Sequence, residues 1–375
     1  MNNEMNIMNN SCLYVDMNIL RENVRSVLDE LEDDCCIIPV LKDDAYGLGQ
    51  LKIAACLAEF DRVKCIAVAH VSEGLSLRAG GITKDILVMG SPLPHQLEAA
   101  ILTQLTLCVP SLETALMINE AAAALSMQAK VQIKLDIGLH RIGMDVGVEL
   151  DEFIDGIRGL DNLCFAGVFS HFSHAGNDEL CKEQYDRFTA GVKKLENAGI
   201  NCYPRHISCS ASSEFYPEYS LDAVRLGRRL YMDNPDKPRG NIKEICSWRS
   251  FVTSVKPRKA GDSLGYGSRF YLEKDAVIAT VGVGYGDGLD AKLCDVHAPV
   301  LINGVECPLM VCCMDQCMVD VSGLECKVGD EVTFFGYDGK GGYISSQAQS
   351  LLIDGNEGCG LTSALSTRVA RVYIE

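Results

Sequence analysis

Residues 36–49 read CIIPVLKDDAYGLG. An apolar run, Cys36 to Leu41, stops at Lys42, and two aspartates and two glycines follow. A short apolar run bounded by turn residues reads as a buried strand. Similar runs recur at 64–69 (KCIAVA), 85–89 (DILVM), 105–109 (LTLCV), 130–135 (KVQIKL), 163–170 (LCFAGVFS), 203–208 (YPRHIS) and 222–226 (DAVRL). Helical patterns lie between them, for example at 96–102, 112–125 and 181–198. Strands alternating with helices predict a parallel sheet. Eight such units fit a (β/α)8 TIM-type barrel better than an open doubly wound sheet.

The texture changes after about residue 240. Short alternating runs appear, such as IKEICSWRSFVTSVK, AVIATVGVGYG, HAPVLINGVECPL, CMVDVS and EVTFFG, with Lys-Ala-Gly-Asp, Ile-Asn-Gly and Val-Gly-Asp between them. This pattern predicts an all-β domain. The expected division is a barrel over 12–240 and a β domain over 241–375. YMDNPDKPRGN, residues 231–241, reads as the linker, and a strand within residues 1–16 joins the β domain. A length of 375 residues suits two domains.

The formal charge of −17 argues against nucleic acid or an anionic membrane as partner. Eighteen cysteines, with no C-x-x-C pair among them, predict free thiols packed as small hydrophobes rather than a metal site. Free thiols in that number imply a reducing compartment, the cytoplasm. The start MNNEMNIMNNS lacks a signal-peptide pattern, and no run approaches the roughly 20 apolar residues of a membrane helix.

In a barrel of this type, reactive groups sit at the carboxyl ends of strands. Lys42 closes strand one, Lys134 and Asp136 end strand five, His171 ends strand six and Arg225 ends strand eight. A buried strand rarely ends in lysine, because its ammonium costs free energy to desolvate, unless the chain reaches the rim. Strands seven and eight run into SCSASSE and VRLGRR, where Ser210 and the backbone after Gly227 suit a phosphate site. The plainer reading of SCSASS is a capped turn. A lysine, a phosphate cradle and an arginine in one mouth point to pyridoxal phosphate. The glycines of VGVGYGDGL, residues 281–289, do not form the dinucleotide pattern.

KDDAYGLG resembles the signature around the cofactor lysine of the alanine racemase family. The resemblance continues through KLDIGLHRIGM, GVFSHF, HISCSAS, VRLGRRLY, LGYGSRF, VGYGDGL and CCMDQCMVD, in that family's order and across nearly the whole chain. It implies a racemase that interconverts L- and D-alanine with pyridoxal 5'-phosphate, held by Lys42 as a Schiff base. Lys42 would be one proton-transfer base. Tyr266 would be the other, reaching the site of a second copy in a homodimer. Tyr46, Ser210 and the Gly227 region would hold the phosphate. Arg225 would face the pyridine nitrogen, His171 would support Arg225, and Arg141 would bond the ring oxygen. Met314 and Asp315, with Thr367 and Arg141, would border the small amino-acid substrate. Lys134 matches a lysine that family members often carry as a carbamate.

The chain departs from the family at Thr367, in LSTRVARVYIE, where a Tyr usually touches the phosphate and crowds the substrate methyl. A smaller hydroxyl residue predicts a roomier, more polar pocket that accepts serine, with neutral drift in a strand as the alternative. GLHRIGM in place of GMGR and YGLG in place of YGHG are lesser departures. Rival readings are a decarboxylase of the same fold, a cofactor-carrying protein without enzymatic activity, and an unrelated barrel enzyme.

Overall fold

A computed structural model describes residues 9–232, 241–268, 270–354 and 360–375. The expected linker falls mostly on 233–240, outside the described residues. The chain divides into two compact units, one of 24–45 and 50–230, the other of 1–23, 46–49 and 231–375.

The first unit is a ring of parallel strands: β1 (Cys36–Pro39), β2 (Cys65–Val68), β3 (Asp85–Val88), β4 (Thr106–Val109), β5 (Ala129–Asp136), β6 (Leu163–Phe169), β7 (Arg205–His206) and β8 (Ala223–Leu226). Each strand from β2 to β7 pairs with the next. Bridges at Cys209↔Arg225, Ile37↔Val63 and Val40↔Ala67 carry the ring on. β8 pairs with β1 in the register Ala223↔Cys36 to Leu226↔Pro39, which closes the barrel. The fold is therefore a (β/α)8 barrel joined in sequence to a β domain. Ile37, Ile66, Ile86, Leu107, Val131, Val168 and Val224 are fully buried. Their continuous apolar runs follow from burial on both faces of a parallel sheet. The outer helices begin at sequence-coded caps: Ser111 Oγ accepts from Thr114 N at 3.2 Å, and Asn177 Oδ1 from Leu180 N at 3.1 Å. Helix Asp178–Asn197 buries Cys181, Gln184, Phe188, Val192 and Leu195, one helical stripe.

In the second unit, Ser11–Asp16 pairs antiparallel with Cys246–Arg258 and parallel with Ala370–Ile374. The strands Ala276–Val281, Pro299–Ile302, Val305–Cys312, Cys317–Asp320 and Glu331–Tyr337 extend the sheet antiparallel. Trp248 anchors its core: Nε1 donates to Ser11 Oγ at 2.7 Å, and the indole lies 4.6 Å from the ring of Phe334. The expected β domain is present, and three short helices, Lys292–Asp295, Ser346–Asp354 and Gly360–Ser363, accompany its strands. Ser346–Asp354 buries Gln347, Gln349 and Ser350. Gln349 Nε2 donates to Pro299 O at 2.6 Å. A helix that buries amides shows no apolar stripe in its sequence.

Candidate active site

Arg225 is the centre of the barrel mouth. It is 3% exposed. Nη1 donates to His206 Nδ1 at 2.8 Å and to His206 O at 3.0 Å. Nη2 donates to Ser170 O at 2.6 Å, His171 Nδ1 at 2.9 Å and Ile207 O at 3.0 Å. These bonds engage both terminal nitrogens and leave the Nε–H as the guanidinium's remaining donor. Because arginine only donates, both Nδ1 atoms must accept, so both imidazoles are neutral with the proton on Nε2. His206 Nε2 then donates to Gln132 Oε1 at 2.8 Å, and its ring stacks on Phe169 at 5.2 Å.

Electrostatics agree with neutral rings. Burial pushes His171 well below the usual imidazole value, and the charges of Arg225, Lys134, Arg141 and Lys42 push it further. Burial and Arg225 likewise lower His206. Lys134, 3% exposed, donates to Leu135 O at 3.0 Å. Burial, then Arg225, lower its amine to about 7. Burial works to raise Asp136, but the N–H groups of Gly138 and His140 outweigh it, and the carboxyl lies below its ordinary range.

Lys42 lies exposed beyond β1. After it Asp43, Asp44, Ala45 and Tyr46 all adopt left-handed backbone, with φ of 55°, 51°, 55° and 58°. Non-glycine residues in that region cost about 1–2 kcal/mol each, so the surroundings must hold them. Ala45 N donates to Leu41 O at 2.9 Å, Gln50 N to Asp44 Oδ1 at 2.8 Å and Asp43 N to Glu73 Oε1 at 2.6 Å.

Past β7, Ser210 opens the helix Ser210–Phe215. Its Oγ accepts from Gly227 N at 3.2 Å and from Arg229 N at 3.3 Å. With its acceptor side used, the hydroxyl keeps its O–H to donate. A hydroxyl with its O–H left to donate and an exposed amine, in a cationic mouth, make a donor set that fits pyridoxal phosphate. Arg141, beyond β5, is exposed.

The second unit carries the other expected residues. Tyr46 lies 5.7 Å from Tyr231, ring to ring. Tyr266 is 77% exposed on the short turn Tyr266–Ser268. Met314 and Asp315 occupy the tight connection between Val305–Cys312 and Cys317–Asp320. Asp315 Oδ1 accepts from Arg368 Nη1 at 2.8 Å, and Arg368 Nε lies 3.2 Å from Asp287 Oδ1. Thr367 is exposed in a turn, not in the strand that the drift alternative assumed. Arg371 braces that turn. It donates to Ser366 O at 2.7 Å, Leu365 O at 2.9 Å and Gly47 O at 3.0 Å.

Residues 15–235 match the family description "Alanine racemase, N-terminal domain", and residues 245–373 match "Alanine racemase, C-terminal domain". The chain belongs to the alanine racemase family. Members of this family are pyridoxal-phosphate-dependent isomerases. The chain is 36% identical to the alanine racemase of Clostridium tetani over 346 residues, 90% of this chain and 89% of that one. It is 33% identical to the alanine racemase of Methanococcus maripaludis, covering 96% of this chain and 97% of that one. Among solved structures, the alanine racemase of Clostridium difficile 630 superposes with a TM-score of 0.88 at 31% identity, covering 97% and 96% of the two chains. The enzyme from Bacillus anthracis with bound L-Ala-P gives 0.90 at 27%, covering 98% and 95%.

Reading the racemase from sequence missed Gln132, His206, Glu73 and Arg371. His206 stood inside the motif HISCSAS, on a buried strand, and that was its only signal. Glu73 and Arg371 bind backbone groups of distant segments, which no residue pattern marks.

Proposed function

We propose that this protein interconverts L- and D-alanine with pyridoxal 5'-phosphate, and that its pocket also admits serine. The observation that carries the reading is the Arg225 clasp, a buried guanidinium fixed by two neutral imidazoles in the mouth that Lys42 borders.

The cofactor supplies an electron sink for the pair left behind when the substrate Cα proton departs. Lys42 anchors the cofactor and moves that proton on one face. Tyr266 of the partner subunit moves it on the other, so the substrate need not turn over. Its exposure in a single chain supports a role in a neighbouring copy, and hence a homodimer. Ser210, Tyr46 and the backbone from Gly227 hold the phosphate. Arg225 would face the pyridine nitrogen and would keep its own proton, because guanidinium does not deprotonate in proteins. Arg141, Met314, Asp315 and Thr367 border the substrate. The low affinity of Lys134 for a proton leaves a neutral amine, the form that combines with carbon dioxide to give a carbamate anion and a proton. That anion would offset Arg141 and Arg225. The acidic charge and free thiols support a cytoplasmic enzyme that works on a free amino acid and binds neither nucleic acid nor membrane. Among the described residues no helix is long and apolar enough to cross a membrane. D-alanine for cell-wall synthesis is the use we propose.

The test is chiral analysis of products from L-alanine, L-serine and other L-amino acids with added pyridoxal phosphate. Racemised alanine is expected. Carbon dioxide release without racemisation would favour the decarboxylase instead.

A further inference from the structure

The peptide bond that leaves Lys42 is gripped by a carboxylate from another part of the barrel. Glu73 is the third residue of helix Val71–Ala79, which follows β2. Its Oε2 accepts from Ala69 N at 2.8 Å and His70 N at 2.9 Å, which caps the start of that helix. Its Oε1 turns away from the helix and accepts from Asp43 N at 2.6 Å. A cap explains the first oxygen and not the second. The second is spent on the one amide that shares a plane with the Lys42 carbonyl. It therefore fixes ψ of Lys42 and φ of Asp43, where the left-handed run begins. Charge-assisted bonds of this kind are short and about twice as strong as neutral ones.

We infer that Glu73 is a positioning residue for Lys42: by holding the Asp43 N–H it sets the direction in which the lysine leaves the barrel rim. This rests on the reading of Lys42 as the cofactor lysine. Left without the clamp, the 43–46 turn relaxes toward ordinary backbone and the amine samples directions away from the mouth.

The two oxygens permit a selective test. Glutamine has one carbonyl oxygen. In Glu73→Gln that oxygen keeps the two cap bonds by facing Ala69 and His70, and the amide NH2 then meets the Asp43 N–H, donor against donor. Leu77→Ala, at a fully buried position on the same helix, weakens packing without touching Asp43. Apo-protein is titrated with pyridoxal 5'-phosphate and followed by absorbance, alongside thermal melting and L-alanine kinetics. Glu73→Gln is expected to bind the cofactor about tenfold more weakly and to lose kcat/KM by a similar factor, with a melting temperature near the parent's. Leu77→Ala is expected to melt several degrees lower and to bind the cofactor as the parent does. Parent-like affinity in Glu73→Gln overturns the inference, as does an equal loss in Leu77→Ala. Lys42→Ala separates the two readings. If it still yields a borohydride-reducible cofactor adduct, Lys42 is not the anchor and the inference falls with it. If it yields none while Glu73→Gln binds normally, only the clamp fails.

Discussion

In the barrel unit, Arg225, His206 and Lys134 are buried and hydrogen-bonded to one another's neighbourhood. In the second unit, Tyr266, Met314, Asp315 and Thr367 stand exposed on turns. The barrel residues already have their partners, while those of the β unit are presented outward and braced only from behind. Arg371 braces Thr367, Arg368 braces Asp315, and Gly265 (φ 70°) and Gly267 (φ 69°) flank Tyr266. Under the function proposed above, the barrel residues are partnered when the chain folds, and the turn residues are the ones offered to a second copy of the chain. Substitutions at these residues should therefore split: changes at the buried Arg225, His206 or Lys134 alter stability and chemistry together, whereas changes at the exposed turn residues alter chemistry alone.

The largest effect is expected from Tyr266→Phe. Loss of one of two bases should lower kcat by roughly 10²–10⁴-fold in both directions, with melting unchanged. A matching drop in melting temperature would break the comparison. Arg225 should behave oppositely. Arg225→Met leaves buried acceptors on His171, His206 and Ser170 unpaired, at a cost of about 2–5 kcal/mol in denaturant unfolding. Arg225→Glu should raise keto-acid by-product relative to racemised alanine, because the pyridine nitrogen would then hold a proton; an unchanged product ratio would count against that role. Thr367→Tyr should shift serine-to-alanine selectivity toward alanine by roughly tenfold, without loss of stability. Unaltered selectivity would leave the drift explanation standing.

The remaining test is a pH slope in stability. Lys134 titrates near 7 in the folded protein and near its ordinary value when unfolded. Between those values the unfolded chain binds the extra proton, so stability should rise with pH from about 7 toward the lysine range. Lys134→Met should flatten that rise in melting scans in carbonate-free buffer. A slope that survives the substitution would mean other groups set it.

The barrel was legible because its strands are uninterrupted apolar runs, and because Lys42, Lys134 and Arg225 are costly residues at the ends of such runs. The β domain's strands were legible from their alternation. Its helix Ser346–Asp354 was not, since glutamine and serine occupy the buried side. Thr367 was noticed by resemblance, but its turn is made by a guanidinium binding three nearby carbonyls, and carbonyls look alike in every residue. The same holds for Glu73, whose partner is a main-chain amide 30 positions away.

Two glycines after the lysine constrain any attempt to diversify this enzyme. A methyl group at Gly47 would lie 2.1 Å from Thr362 O, and one at Gly49 would lie 1.8 Å from the Tyr373 hydroxyl. The neighbour at 47 is main chain and cannot swing aside. A mutant library that varies 367 while leaving 47 and 49 untouched would sample new selectivities; one that randomises all three would consist mostly of chains whose tail no longer seats.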